Sequence, residues 1–330
     1  MEIDKLRVDS GEETSAKFKP FLVNINDQQK AKSALVVGAS GFIGGETLEK
    51  LFAKDGRTLS YDIIEPKRIG INNGWIKGDI LDLSSIRKVC HDWKIDTVLH
   101  FVGLPVVDSC QEKPHLSFLL NVVSVQNTLE AMRLADIKKI LFASSASIYG
   151  VSKSEPIKEV DLACPNTIYG HHKLIAEDVI KAYSGQYGFD YAIFRIFNVY
   201  GAQASSGRDV LSIFIRRAIR GEHLIVKGPK KFRDFIHVKD VAKVFVEALD
   251  KKAALKKTIN VGSGTKTTLM QLAQMVKRHF PKTEVKKEPA LDDGTGLYAD
   301  TRLLKEILGF KPIAPEEGIN EHASKYVPKE

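Results

Sequence analysis

SALVVGASGFIGGETL, residues 33–48, decides how the rest of the chain is read. It opens on the apolar run Ala34-Leu35-Val36-Val37, short and partly β-branched, as suits a strand buried on both faces. Glycines follow at Gly38, Gly41 and Gly44. The positions Ile43, Thr47, Leu48, Leu51 and Phe52 then recur at helical spacing. The pattern predicts strand, tight turn, helix. Glycine lets a backbone turn sharply and approach a ligand with no Cβ in the way. The free amides at the start of a helix, at the positive end of its dipole, attract a pyrophosphate. The spacing G-x-x-G-x-x-G differs from the G-x-G-x-x-G of the commonest dinucleotide fold. Taken by itself, the stretch also fits a βα turn with no ligand.

Working outward, the βα rhythm continues. Residues 58–62, TLSYD, read as a second strand ending in Asp62, about twenty residues past the glycines, where a carboxylate can accept from ribose hydroxyls. That placement favours NAD over NADP, whose 2′-phosphate it would repel, although Lys67 and Arg68 lie close by. Asp62 also fits a plain strand-end turn. Residues 75–80 predict another strand with Asp79 at its end, residues 84–93 a helix, and residues 97–103 an apolar strand running into Gly103. Residues 116–135 read as one long helix with polar interruptions at Asn121 and Ser124, and residues 139–143 as a strand leading into hydroxyls at its end. Repeated βαβ units predict an α/β fold with a doubly wound parallel sheet, Rossmann-like, whose strand ends line a ligand crevice.

Tyr169-Gly170-His171-His172-Lys173 opens a further helix. Residues four apart share a helix face, so Tyr169 and Lys173 point the same way. A free phenol, with a pKa near 10, is a poor base at neutral pH. A neighbouring ammonium lowers that by roughly 1–3 units, and a cationic nicotinamide adds to the effect. The phenol then serves as a general base for an alcohol losing hydride. Y-x-x-x-K by itself is as easily a helix-surface pair. Its occurrence after a glycine turn and a serine-rich strand end, in that order, is what gives it weight.

Composition sets the outer bounds. The chain has 330 residues, enough for one large domain or two modest ones, and its 43% hydrophobic and 27% charged residues suit a soluble globular protein. No apolar run approaches the length of a bilayer span. The first residues are polar and acidic with no apolar core of a signal peptide, and no membrane partner is expected. Cys90, Cys110 and Cys164 are scattered and odd in number, forming neither a disulfide framework nor a zinc spacing; they read as reduced and semi-buried, so a cytoplasmic location is expected. The nine histidines show no metal spacing either, and the adjacent pair His171 and His172 would face different sides of a helix. No metal is expected. The net charge of +8 comes from lysines spread along the chain without a nucleic-acid motif, so a basic surface that attracts an anionic substrate is expected rather than a nucleic-acid partner. Residues 1–32 read as an appended arm, with Phe18, Phe21, Leu22 and Val23 as a short apolar patch for docking it.

With these residues in view, the chain resembles the extended short-chain dehydrogenase/reductase family, and within it the NAD-dependent nucleotide-sugar epimerases and dehydratases. The resemblance covers about residues 33–325. It is carried by GASGFIG (38–44), HFVGL (100–104), SSASIYG (144–150), YGHHK (169–173), RIFNVYG (195–201), FRDFIHVKDVA (232–242) and INVGSG (259–264). HFVGL through Lys113-Pro114 looks most like the UDP-glucose 4-epimerases.

The resemblance implies roles. Ser145, Tyr169 and Lys173 would be catalytic: Ser145 on the reacting sugar hydroxyl, Tyr169 as acid and base, Lys173 on the nicotinamide ribose and tuning Tyr169. Gly38, Gly41 and Gly44, with Phe42 and Ile43, would carry the NAD pyrophosphate. Asp62 would take the adenosine ribose, and Asp79 with Ile80 the adenine. Phe101, Val102, Gly103 and Asn121 would complete the cofactor site. Asn198 and Arg233 would meet the substrate diphosphate, a task suited to a guanidinium fork. An ion pair of Arg233 with Asp234 or Asp240 is the structural alternative, while His237 and Asp240 look structural. The family division implies an NAD-binding domain over residues 33–200 with a returning segment at about 235–262, and a smaller α/β substrate domain mainly over 201–330. Residues 201–207 would be a loop over the sugar. Helices 116–135 and 169–183 would pair across a two-fold axis, giving a homodimer.

Absences narrow the reaction. The dehydratases of this family carry Asp-Glu after the catalytic hydroxyl, where this chain has Ala146 and Ser147. Decarboxylating relatives carry glutamate at the Ser147 position. The chain departs from the bacterial 4-epimerase pattern at Pro105, where a lysine stands near the cofactor. It departs again at residues 289–293, PALDD, where a second diphosphate-gripping arginine is expected and Asp292 and Asp293 stand instead. The expected activity is epimerisation of a nucleotide sugar through a 4-keto intermediate. A nucleotide-sugar dehydrogenase or ketoreductase with net cofactor turnover is one alternative, and a non-catalytic nucleotide-binding protein another.

Overall fold

A computed structural model describes residues 33–53, 57–67, 74–151, 155–201 and 209–326. The arm at 1–32, Arg68 and most of the expected sugar loop, from 202 on, lie outside the described residues. The first strand, β1 (Ser33–Val37), is followed by α1 (Phe42–Phe52), β2 (Arg57–Asp62) and β3 (Gly74–Lys77). Then come α2 (Leu83–Asp92), β4 (Thr97–His100), α3 (Val107–Glu112), α4 (Pro114–Phe118), a π-helical turn (Leu119–Val123) and α5 (Ser124–Leu134). Next are β5 (Lys139–Ser145), a 3₁₀ turn (Ala146–Tyr149), α6 (Ile168–Tyr187) and β6 (Asp190–Ile196).

These strands build a seven-stranded parallel sheet, ordered β3-β2-β1-β4-β5-β6-β11, where β11 is Lys257–Val261. The order reverses at β1, so the crevice between the C-terminal ends of β1 and β4 is the switch point where ligands bind in such sheets. The alternation of side chains explains why both faces are covered. Leu35 and Val37 join Val98, Phe142 and Ile193 in a core with helices α2, α5 and α6. Ala34 and Val36 join Leu99, Leu141 and Phe194 in a second core with α1 and α8 (Val238–Ala248).

The remaining elements are short. They are β7 (Asn198–Tyr200), α7 (Val210–Ile219), β8 (Leu224–Lys227), β9 (Phe232–Arg233), β10 (Phe235–His237), β12 (Thr267–Thr268), α9 (Leu269–His279), β13 (Val285–Glu288), β14 (Gly296–Leu297), α10 (Arg302–Leu308) and α11 (Pro315–Ser324). Leu211, Phe214, Leu224, Val226, Leu272, Val276 and Ile319 from these pieces form a core of their own.

Three elements differ from the sequence reading in instructive ways. The expected single helix 116–135 is interrupted by the π-helical turn that contains Asn121. β5 runs two residues further than expected, through Ser144 and Ser145, because both pair with β6. β3 stops at Lys77, so Asp79 stands in the loop beyond the strand.

Candidate active site

The glycine turn is tight. Gly38 has φ +84°, the left-handed region that glycine adopts without strain, and a Cβ there would lie 2.8 Å from the Val102 amide nitrogen. The turn is therefore pressed against the end of β4. A Cβ on Gly44 would meet the Gly38 carbonyl oxygen at 2.1 Å, so α1 packs tightly on the turn. Gly41 caps α1 with no side-chain hydrogen bond, which leaves its first-turn amides without a side-chain acceptor. Asp62 closes the other side. Its Oδ2 accepts from the Ser40 amide at 2.9 Å and its Oδ1 from the Ile64 amide at 3.2 Å, so the carboxylate stands fixed at the rim of the turn. Asp79 and Ile80 are placed less openly. The Asp79 carboxylate accepts from the Leu81 amide at 2.9 Å, and the Ile80 side chain turns into the core.

At the ends of β4 and β5 the remaining groups converge. Thr167 caps α6 by accepting from the Gly170 amide, so the helix begins one residue before Tyr169 and sets Tyr169 and Lys173 on its buried face. Lys173 Nζ donates to the Ala143 carbonyl at 3.0 Å, and lies 4.9 Å from the Phe142 ring centroid and 5.9 Å from that of Tyr169. Burial pulls the Lys173 ammonium down to about 8.

Burial pushes the Tyr169 phenol up to about 12, while the nearby Ser145 hydroxyl draws it down. The expectation of a lowered phenol therefore does not hold for the chain by itself: desolvation outweighs the polar neighbours. Ser145 ends β5, and its Oγ donates to Ser147 Oγ at 3.2 Å and accepts from the Ser147 amide at 3.1 Å.

Asn121 Nδ2 donates to the Leu104 carbonyl at 3.3 Å and to Ser117 Oγ at 3.2 Å, while its buried Oδ1 has no partner. A Cβ on Gly103 would stand 2.6 Å from that oxygen and 3.3 Å from Lys173 Nζ. A buried ammonium, an orphaned amide oxygen and a phenol thus meet beside a strand end kept free of side chain. Phe101, its ring tilted against that of Phe245 with centroids 4.6 Å apart, and Val102 line the same end of β4.

Asn198 and Arg233 are linked through Asp234, the residue after Arg233. The Asn198 amide donates to the Asp234 carbonyl at 3.0 Å. The expected alternative ion pairs of Arg233 are not made. Asp234 spends its carboxylate on the Ser263 amide and hydroxyl and on the Gly264 and Ala299 amides, and Asp240 accepts from the Ile313 amide. Among the described residues Arg233 makes no salt bridge. Burial holds its guanidinium below the usual range, countered by the charge of Asp292.

Both carboxylates of the PALDD stretch have partners within the fold. Asp292 pairs with Lys231 Nζ at 2.6 Å, and Asp293 accepts from the Lys230 and Lys231 amides. His237 caps α8, accepting from the Lys239 amide, and burial lowers it to about 4. The sequence reading assigned no role to Ser144, Glu177 or Arg195, which form a buried network under this site. The signal was present, since Glu177 follows Tyr169 and Lys173 at the same spacing of four.

The comparison with known proteins completes the picture. Residues 34–262 match the family described as NAD dependent epimerase/dehydratase. The chain belongs to this family. A Methanocaldococcus jannaschii protein carrying the provisional name UDP-glucose 4-epimerase is 32% identical over 86% of this chain and 95% of its own length. The UDP-glucose 4-epimerase of Lacticaseibacillus casei is 29% identical over 84% of this chain and 91% of its own. The Thermotoga maritima UDP-glucose 4-epimerase, solved with UDP-glucose, has a TM-score of 0.82 at 26% identity, covering 89% of this chain and 98% of that one. The Brucella ovis UDP-glucose 4-epimerase, solved with NAD, has a TM-score of 0.81 at 29% identity, covering 90% and 98%.

As a member of this family the chain uses NAD, and its own residues fit that cofactor. The uncapped start of α1 suits a pyrophosphate, the rim position of Asp62 a ribose, and the buried Lys173 and Asn121 groups the nicotinamide end.

Proposed function

We propose that the protein interconverts the carbon-4 epimers of a UDP-sugar, the NAD-dependent nucleotide-sugar epimerisation of its family. The observation that carries this reading is the meeting of Ser145, Tyr169 and Lys173 at the end of β5, beside a glycine turn whose rim is closed by Asp62. NAD supplies the acceptor for the carbon-4 hydride and, once reduced, its donor. The Tyr169 phenolic oxygen takes the proton of the carbon-4 hydroxyl and returns it after the keto sugar has turned its other face. Ser145 orients that hydroxyl. Lys173 supplies positive charge beside the phenol, favouring its ionised form. Gly38, Gly41, Phe42, Ile43 and Gly44 hold the pyrophosphate, and Asp62 the adenosine ribose. Asp79 and Ile80 sit by the adenine, and Phe101, Val102, Gly103 and Asn121 by the nicotinamide end. Asn198 and Arg233 take the substrate diphosphate. Lys231, by pairing with Asp292, offsets the carboxylate whose charge reaches Arg233.

In this reading residues 33–200 with 235–262 form the cofactor domain and 201–330 mainly the substrate domain. No helix among the described residues is long and apolar enough to cross a membrane, and we place the enzyme in the cytoplasm. We also propose a homodimer through α4, α5 and α6. Phe118 and Ile175 are exposed there, and Phe118 stands edge-on to His172, one turn before Ile175. The purified protein should equilibrate UDP-galactose and UDP-glucose with no added NADH. A requirement for stoichiometric NADH would instead mark a reductase, and NAD binding with no turnover on any UDP-sugar would sink the reading. Sedimentation should show a dimer, and Ile175→Glu should shift it to monomer.

A further inference from the structure

Beneath the crevice lies a buried ion pair that the reaction above leaves unused. Arg195 donates to Glu177 through Nη2 at 2.8 Å and through Nε at 3.1 Å, and both residues are buried. A buried ion pair is seldom more stabilising than apolar side chains of the same volume, so stability by itself does not account for it. Its connections do. Tyr169, Lys173 and Glu177 follow one another at intervals of four along the buried face of α6. Glu177 Oε1 also accepts from Ser144 Oγ at 2.5 Å, the residue beside Ser145 at the end of β5. Its Oε2 lies 3.5 Å from Lys181 Nζ.

From β6, Arg195 Nη1 donates to the Tyr149 hydroxyl at 3.0 Å and the Glu159 carbonyl at 3.1 Å. The Tyr149 hydroxyl donates in turn to Asn260 Oδ1, in β11, at 2.7 Å. One carboxylate therefore ties α6 to the ends of β5 and β6 directly, and to β11 through Arg195 and Tyr149.

Resting on the epimerase reading, we infer that Glu177 is a positioning residue: by holding Ser144 it fixes the Ser145 hydroxyl against Tyr169 and Lys173. Besides the Lys173 hydrogen bond to the Ala143 carbonyl at 3.0 Å, α6 meets β5 largely through apolar side chains, Phe142, Ala176 and Ile180 among them. Apolar contact is non-directional; it holds the two elements together but resists sliding along the helix axis weakly. The Lys173 bond pins one point on β5, and the short hydrogen bond from Ser144, the residue next to Ser145, to Glu177 pins a second, one helical turn further on, so that together they set the coordinate along the helix axis. The precision matters, because a displacement of about 1 Å in a reacting group can cost about a hundredfold in rate.

Ser144→Ala tests this, since it removes the tie to β5 and leaves the Arg195–Glu177 pair whole. The expected result is a fall in kcat of about tenfold with KM for the UDP-sugar and the affinity for NAD unchanged. The ionisation of Tyr169 in the NAD-bound protein, where the cofactor's positive charge brings the phenol down into a readable range, read as phenolate absorbance after subtracting the Tyr169→Phe spectrum, should move to higher pH as Ser145 loosens. A role confined to stability would lower the thermal midpoint while leaving both readouts as in the parent. An unchanged kcat, or an unchanged Tyr169 titration, overturns the inference. If the parent protein has no epimerase turnover, that failure belongs to the epimerase reading, and the Tyr169 titration still decides whether Ser144 positions the site.

Discussion

Tyr169 shows how a residue's chemistry depends on company that only folding assembles. Burial drives its phenol up to about 12, the wrong direction for a base at neutral pH. Within the chain the Ser145 hydroxyl opposes this; the Lys173 ammonium is itself drawn down to about 8 by burial, and a bound oxidised nicotinamide would add positive charge beside the phenol. Tyr169→Phe should reduce kcat by roughly 10²–10⁴, the usual worth of a positioned acid–base group, with NAD affinity preserved by equilibrium dialysis. Retained turnover would remove Tyr169 from the mechanism. His100 offers a separate test. Fully buried between Ser124 and Thr128, it is lowered to about 3. A histidine kept neutral in the fold but free to protonate when unfolded contributes stability that is complete above about pH 6.5 and is lost as pH falls toward its folded value. The loss is about 1.4 kcal/mol per pH unit within that window. His237, lowered to about 4, acts in the same direction. Urea midpoints measured between pH 7 and 4.5 should fall less steeply for His100→Asn than for the parent; equal slopes would rule His100 out as the cause.

At the scale of elements, caps and turns decide where chemistry falls. Thr167 starts α6 so that Tyr169 lies in its first turn, and Gly188, in the left-handed region, ends it. The π-helical turn between α4 and α5 changes the helix register just where Asn121 stands, and π-turns recur at functional sites. No periodicity in residues 116–135 announces that extra residue, because the apolar stripes on either side each look helical. By contrast α2 is capped for stability. Asp82 accepts from the Ser84 and Ser85 amides, and α2 covers the apolar face of the sheet at Ile86 and Val89. Asp82→Ala should therefore cost about 1 kcal/mol and lower the thermal midpoint, with kcat unchanged. A loss of kcat would mean that α2 communicates with the site.

At the scale of the whole molecule, NAD binding should stabilise the fold, because the glycine turn, Asp62 and the cluster at β4 and β5 come together only in the native state. At a hundred times Kd, NAD should add about 2.7 kcal/mol, read as a raised thermal midpoint. NADP should give a much smaller shift, since a 2′-phosphate would meet the Asp62 carboxylate. Equal shifts would show that Asp62 does not select the cofactor.

Much of this was legible in the residues alone. Strand, glycine turn and helix at 33–48, the acid ending β2 and the Tyr169–Lys173 spacing are local patterns, set by backbone sterics and the period of a helix, so sequence by itself determined the fold class and the kind of cofactor. Where Asp79 stands, how PALDD is neutralised by Lys231, the rise rather than fall of the Tyr169 phenol, and the tie from Glu177 to Ser144 and Arg195 were decided only by tertiary structure. Each depends on which distant groups share a low-dielectric space, and that distance is not written along the chain.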